Sequence, residues 1–273
     1  MTSDPPRPPE GDWLGTPYLR FERHGSLAHV IVDRPEARNA LTGAMYFGIR
    51  YAVDHVNRSP ELAGLLITGT GDVFIPGGDL GRNPIDFWSD ALNLFGMDLT
   101  PFEAIRNSAK PVVSAINGIC QGGGLLIAMM SDVAVAVPSA TFRAPEVFRG
   151  IADTGYAQYL PAQIGPARAR DMLLTGRTVD AQTALDWGLV SRLASGPDKL
   201  IDEATEALTT IVYGAPFARS VVKREINRQY GRPDRASMDA SLASGEFDEG
   251  WKSFSERRAP NWIPEDIRPE GRI

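Results

Sequence analysis

The 273-residue sequence has a single cysteine, Cys120, so no disulfide can form within the chain. Its three histidines, His24, His29 and His55, stand in no spacing with that cysteine that would build a structural zinc site. The longest apolar run, residues 125–130, is far short of the roughly 20 residues that cross a bilayer. Positive charge is scarce: 28 Lys and Arg face 34 Asp and Glu, the formal net charge is −6, and the pI is near 5.2. Without a Lys/Arg cluster there is no long-range attraction for phosphate polymers, so nucleic acid and anionic membrane surfaces are not expected as main partners. The first residues, MTSDPPRPPEG, carry four prolines and no apolar stretch, which argues against a secretory signal and for a disordered tail over residues 1–16. Together these absences fit a protein of the reducing cytoplasm.

What is present is an ordinary globular composition, 43% hydrophobic and 23% charged, enough for one sizeable core with a small appendage. Residues 18–35 hold two runs rich in β-branched and aromatic side chains around His24-Gly25-Ser26, which predicts a hairpin. Thr42 can cap a helix with Met45, Ile49, Val53 and Val56 on one face, ending before Ser59-Pro60. A strand at 64–68 leads into the glycine-rich segment 73–79. Residues 80–99 look irregular, and Phe87, Trp88 and Phe95 suit a pocket wall or a core equally. A short helix at 101–108, a strand at 111–116, a glycine loop ending at Gly124, a helix at 125–130 and a strand at 132–137 follow. This alternation, which continues to about residue 195, is the pattern of an α/β core. Beyond Pro197 no strand signal remains, and two or three helices fill residues 200–258.

Two glycine groups could carry chemistry. Gly122-Gly123-Gly124 sits between a strand and an apolar helix, and Gly77-Gly78 precedes Asp79. Glycine lets a ligand oxygen approach the backbone closely, and helix-start N–H groups carry partial positive charge. Two such loops could aim two N–H groups at one developing negative oxygen. Either could equally be a tight strand–helix packing turn, and spacing does not establish that they meet.

VFIPGGDL, AINGICQGGGLLIAMMSDVAVA, TFRAPEVFRGI and TGRTVDAQTALDWGLVSRL, with RPEARNAL near the N-terminus, occur in the order and separations of one family. Over residues 17–262 the chain resembles the enoyl-CoA hydratase/isomerase (crotonase) family. The resemblance implies an α/β spiral of ββα units over 17–198 that binds acyl-CoA, and a C-terminal helical part, 199–273, that mediates a homotrimer or a dimer of trimers. It implies a coenzyme A thioester as substrate, with coenzyme A entering only on that substrate, and no permanently bound cofactor or metal. Carried over residue by residue, the thioester oxygen would meet the N–H groups of Gly78 and Gly123. Asp79, Leu80 and Gly81 would continue along the CoA arm, and Ala37, Arg38 and Ala40 would lie near the adenine end. Arg257 and Arg258 resemble a basic tail that reaches CoA phosphates, though a solvated helix face suits them as well.

Glu146, in Ala-Pro-Glu, matches a catalytic glutamate of the family's hydratases and isomerases, whereas a lone glutamate after proline is usually a solvated helix-start residue. Leu126 is a departure: hydratases usually carry a second glutamate there, one helical turn from the oxyanion glycine. Leucine can neither hold nor activate water, so a single glutamate that removes and returns a proton points to double-bond isomerisation. Asp153 resembles an acidic residue of dienoyl-CoA isomerases and the nucleophilic aspartate of aroyl-CoA dehalogenases; as a plain residue it would cap the helix starting near Thr154. Hydration by Glu146 with Asp153, hydrolysis or dehalogenation through Asp153, and a catalytically idle CoA-binding scaffold are the alternatives. Asp132, at a helix–strand junction, reads as structural, and no histidine falls in these motifs.

Overall fold

The computed structural model describes residues 13–79, 101–229, 235–263, 268, 269 and 271. The irregular stretch 80–99, with Leu80 and Gly81, lies outside the described residues. Residues 13–16, assigned to the tail on composition, instead join the folded part. Leu14 and Thr16 are buried, and the Trp13 ring packs 4.9 Å from Phe21 and 4.7 Å from His55. Burying Leu14 and packing the Trp13 ring against Phe21 and His55 outweighs the entropy of ordering a few residues.

Strands β1 (Leu19–His24) and β2 (Leu27–Val32) form the expected antiparallel hairpin, in register from Leu19↔Val32 to His24↔Leu27. Helix α1 (Gly43–Arg58) starts where the Thr42 hydroxyl accepts the Met45 N–H at 3.3 Å, and it buries Met45, Ile49, Val53 and Val56. Next come β3 (Gly64–Gly69), β4 (Val73–Ile75), α2 (Pro101–Arg106), β5 (Val112–Ile116), β6 (Ile119–Gln121), α3 (Gly123–Met130), β7 (Val133–Ala136) and β8 (Thr141–Arg143). Three times the chain sends one strand into a larger sheet and the following one into a smaller sheet. Among the described residues the larger sheet runs β1-β2-β3-β5-β7 and the smaller β4-β6-β8, each extended by one late strand. From β2 onward the larger sheet is parallel. All five residues of β5 are buried, the small polar Ser114 included, which is why the segment shows no alternation of apolar and charged side chains. This repeated ββα step is the spiral that the resemblance implies.

After β8, a 3₁₀ turn at Glu146–Arg149 leads to α4 (Thr154–Ile164), α5 (Pro166–Thr175), β9 (Val179–Asp180), α6 (Ala181–Trp187) and β10 (Arg192–Leu193). β9 closes the smaller sheet antiparallel to β8, and β10 closes the larger parallel to β7. Asp132 stays outside β7, where its carboxylate accepts the Val112 N–H at 2.8 Å and pairs with Lys223 Nζ at 2.9 Å, a structural role.

The C-terminal part holds four helices among the described residues rather than two or three: α7 (Leu200–Tyr213), α8 (Pro216–Arg228), α9 (Arg235–Leu242) and α10 (Gly245–Ser255). Gly214 and Pro216 separate the first two, and Ser244, in extended geometry, breaks the last two apart. No described helix is long and apolar enough to cross a membrane.

Candidate active site

The two glycine loops meet. A side chain on Gly122 would come within 3.1 Å of Gly77 Cα, and one on Gly77 within 3.7 Å of Gly122 Cα. Gly122 has φ 53° and ψ −132°, a backbone geometry that only glycine adopts without strain, and this turn sends the chain from β6 into α3. Gly124 packs on Ile75 of β4, where a Cβ would lie 2.6 Å from the isoleucine Cβ, so the start of α3 is held close to the end of β4.

The first loop is fixed by a one-residue bridge to the chain before α1. The Leu41 N–H donates to Gly77 O and the Asp79 N–H to Leu41 O, both at 2.9 Å. In such a parallel bridge the residue between the two bonds, Gly78, directs its own N–H to the other side. Gly123 is the first residue of α3, one of the helix-start positions whose N–H has no carbonyl four residues earlier to bond. Neither the Gly78 nor the Gly123 N–H has a hydrogen-bond partner among the described residues. The arrangement offers two unpaired donors on adjoining loops, an anion-receptive surface.

Arg34 braces the first loop. Its guanidinium donates to the Ala40 carbonyl at 2.9 Å and to the Asp79 carboxylate at 2.8 Å, and it lies over the Tyr18 ring at 5.0 Å. Asn39, φ 64°, bonds Thr70 O and Val73 O through Nδ2 and takes the Arg34 N–H on Oδ1. Ala37 and Arg38 precede it in the turn after Pro35, with Arg38 exposed at φ 51°. Arg34 and Asn39 belong to RPEARNAL but were not singled out from it; a buried arginine and a left-handed asparagine leave no spacing signal in one sequence.

Glu146 opens the 3₁₀ turn after β8, and its Oε1 lies 3.2 Å from where a Gly122 Cβ would be. Its Oε2 is buried without a hydrogen-bond partner among the described residues. Burial first, and then the Asp153 charge, push this carboxyl up to about 8, against the pull of its own backbone N–H, Arg149 and Arg143. Asp153 is the N-cap of α4, where Oδ1 accepts the Tyr156 N–H at 3.1 Å. Burial pushes it up to about 6, outweighing the bonds from the Tyr156 and Gly155 N–H groups. Capping and proximity to Glu146 therefore coexist in one residue. Leu126, 4% exposed, points toward the start of α4, with Cδ2 3.8 Å from the Gly155 Cβ position.

Two supports come from far along the chain. The Tyr156 hydroxyl donates to Gly122 O at 2.5 Å, tying α4 to the second glycine loop. Ser241 of α9 donates to Gly150 O at 2.9 Å and accepts the Ala152 N–H at 2.8 Å, while Arg149 lies over the Phe254 ring of α10 at 4.3 Å. The C-terminal helices thus clamp the segment that carries Glu146 and Asp153. Arg257 is exposed in the turn after α10 with φ 57°, and Arg258 pairs with Glu249 and Glu256, each at 2.6 Å.

Comparison with known proteins gives the family. The sequence profile described as enoyl-CoA hydratase/isomerase matches residues 22–265. A Mycobacterium tuberculosis protein described as a probable enoyl-CoA hydratase is 32% identical over 253 residues, covering 89% of this chain and 97% of that protein. A carnitinyl-CoA dehydratase of Citrobacter koseri is 33% identical over 267 residues, with the same coverage of 89% and 97%. The crystal structure of an enoyl-CoA hydratase/isomerase from Pseudoalteromonas atlantica superposes with a TM-score of 0.75 at 29% identity, covering 90% of this chain and 100% of that one. The chain belongs to the enoyl-CoA hydratase/isomerase family, the crotonases.

Proposed function

We propose that this chain shifts the double bond of an enoyl-CoA, with the Gly78 and Gly123 N–H groups receiving the thioester oxygen and Glu146 carrying the proton. The observation that carries this reading is Leu126. One turn into α3 from Gly123, an apolar and buried side chain stands where a second water-holding carboxylate would be needed, while Glu146, whose Oε2 has no partner among the described residues, lies beside the glycine loops. Removing an α-proton from a 3-enoyl thioester leaves a dienolate whose charge falls on the thioester oxygen, where two N–H groups stabilise it. Returning the proton at the γ-carbon completes the shift, and one carboxyl reaching both carbons suffices.

Asp153 supports the shuttle. With Glu146 raised to about 8 and Asp153 to about 6, the pair holds close to one proton at neutral pH, so it can both give and accept one. The same pair supports a second reading, hydration of an enoyl-CoA by Glu146 with Asp153. The relatives described as an enoyl-CoA hydratase and a carnitinyl-CoA dehydratase favour it. The adenine end would lie along Ala37, Arg38 and Ala40, the CoA arm along Asp79, and Arg257 would face phosphate.

Residues 17–198 would form the acyl-CoA-binding core and 199–273 an oligomerisation part of a homotrimer or dimer of trimers. Tyr213 and Phe217, 82% and 80% exposed around the α7–α8 junction, together with Val222 and Ile226, leave an apolar surface that a second copy would cover. Side-by-side rates for isomerisation of a 3-enoyl-CoA and hydration of crotonyl-CoA decide the chemistry. Isomerisation is expected to be the faster, and Glu146→Gln is expected to abolish it. Faster hydration by the wild type would move the assignment to the hydratase reading.

A further inference from the structure

We propose that the Tyr46 hydroxyl is a third hydrogen-bond donor to the thioester oxygen, beside the N–H groups of Gly78 and Gly123. The inference rests on the reading of those two glycines as the oxygen-binding pair. Tyr46 lies in the first turn of α1, on the chain that also bridges to the first glycine loop through Leu41. Its ring lies directly against Gly123. A methyl group there would overlap the hydroxyl and come within 2.9 Å of Cε1 and 3.0 Å of Cζ. The absence of a side chain at 123 is therefore what admits the phenol. Phe102 of α2 holds the ring from another side, edge to face at 6.0 Å between centroids.

The hydroxyl has no hydrogen-bond partner among the described residues, although it is half-buried beside two carboxyls. Burial first, then the Glu146 and Asp153 charges, raise the phenol well above its ordinary value, so it remains a neutral donor throughout the physiological range. Its position fits the proposed acceptor. A Cβ lies ~2.5 Å from its own backbone nitrogen by covalent geometry, which puts the hydroxyl within ~5 Å of the Gly123 nitrogen. One oxygen can lie at hydrogen-bond distance from both donors at that separation. A phenol that finds no partner among the described residues, held against a backbone donor that finds none there either, is provision for an oxygen on the ligand.

The test uses butyryl-CoA labelled with ¹³C at the thioester carbonyl, an unreactive saturated probe, bound to the wild type and to Tyr46→Phe. The infrared carbonyl stretch of the bound probe is expected to shift to lower frequency in the wild type and to lose part of that shift in the variant. With a 3-enoyl-CoA as substrate, the α-proton exchange kcat of the variant should fall roughly 10- to 100-fold with KM within about threefold, as for loss of an oxyanion donor, and its melting temperature should be unchanged. A wild-type shift that the variant retains in full would overturn the Tyr46 assignment and leave the two-glycine site standing. A raised KM with unaltered kcat would do the same, because it marks ground-state packing only. No shift in the wild type itself would defeat the oxygen-binding site and the Tyr46 role together.

Discussion

Replacing Glu146 with glutamine should abolish proton transfer and also make the protein more stable at neutral pH. In the folded chain the carboxyl titrates at about 8 against an ordinary 4.5, because burial and the Asp153 charge oppose its ionisation. Between those two values the folded state retains a proton that the unfolded chain has released. Stability from this group is thus full below 4.5, falls as pH rises, and is lost once pH passes about 8. Each pH unit over which one extra proton is held corresponds to ~1.4 kcal/mol. From 4.5 to 7 is two and a half such units, so keeping Glu146 protonated costs about 3 kcal/mol at pH 7. Glutamine carries no such cost, but its amide inherits the unpartnered position of Oε2 and loses part of the gain, of order 1 kcal/mol. The net expectation is a variant about 1–3 kcal/mol more stable than wild type at pH 7, with the advantage gone at about pH 5, where the gain no longer exceeds the cost of the unpartnered amide. Urea unfolding at fixed protomer concentration, from pH 4.5 to 8, measures it, and subtracting variant from wild type removes the titrations common to both. A stability difference that does not change with pH would refute the burial argument, and with it the reading of Glu146 and Asp153 as a pair sharing one proton at neutral pH.

The same pair fixes the pH profile: kcat/KM should be bell-shaped with limbs near 6 and 8, and Asp153→Asn should move the Glu146 limb downward by removing a charge that raises it. Gly123→Pro deletes an N–H at a helix position that tolerates proline and should lower turnover by roughly 10²- to 10³-fold in a folded protein. Gly123→Ala retains that N–H but displaces Tyr46 and should lose less, as steady-state rates of the two variants will tell. Gly150→Ala forces φ 68° on a residue with a Cβ that would lie 2.7 Å from Phe247 N. It should lower stability by about 2 kcal/mol and reduce turnover by loosening the Glu146 segment, read by thermal unfolding alongside kcat.

How much of this was legible beforehand follows from the range of each interaction. The β1–β2 hairpin, the Thr42-capped helix and the buried strand β5 depend on neighbours a few residues away, and periodicity and turn chemistry place them directly. The five ordered motifs carry the family, and with it the two-sheet spiral. The packing of Trp13 and Leu14 and the number of C-terminal helices were misjudged because composition does not register where a surface exists to bury a side chain. Sequence alone made Gly78, Gly123, Glu146 and Asp153 candidates. Only the tertiary structure set Gly77 against Gly122, turned the Gly78 N–H outward through the Leu41 bridge and brought Tyr46 to Gly123. The raised carboxyls belong to that level too, since removal from water and the approach of another charge are properties of the packed chain and not of Glu146 or Asp153 themselves.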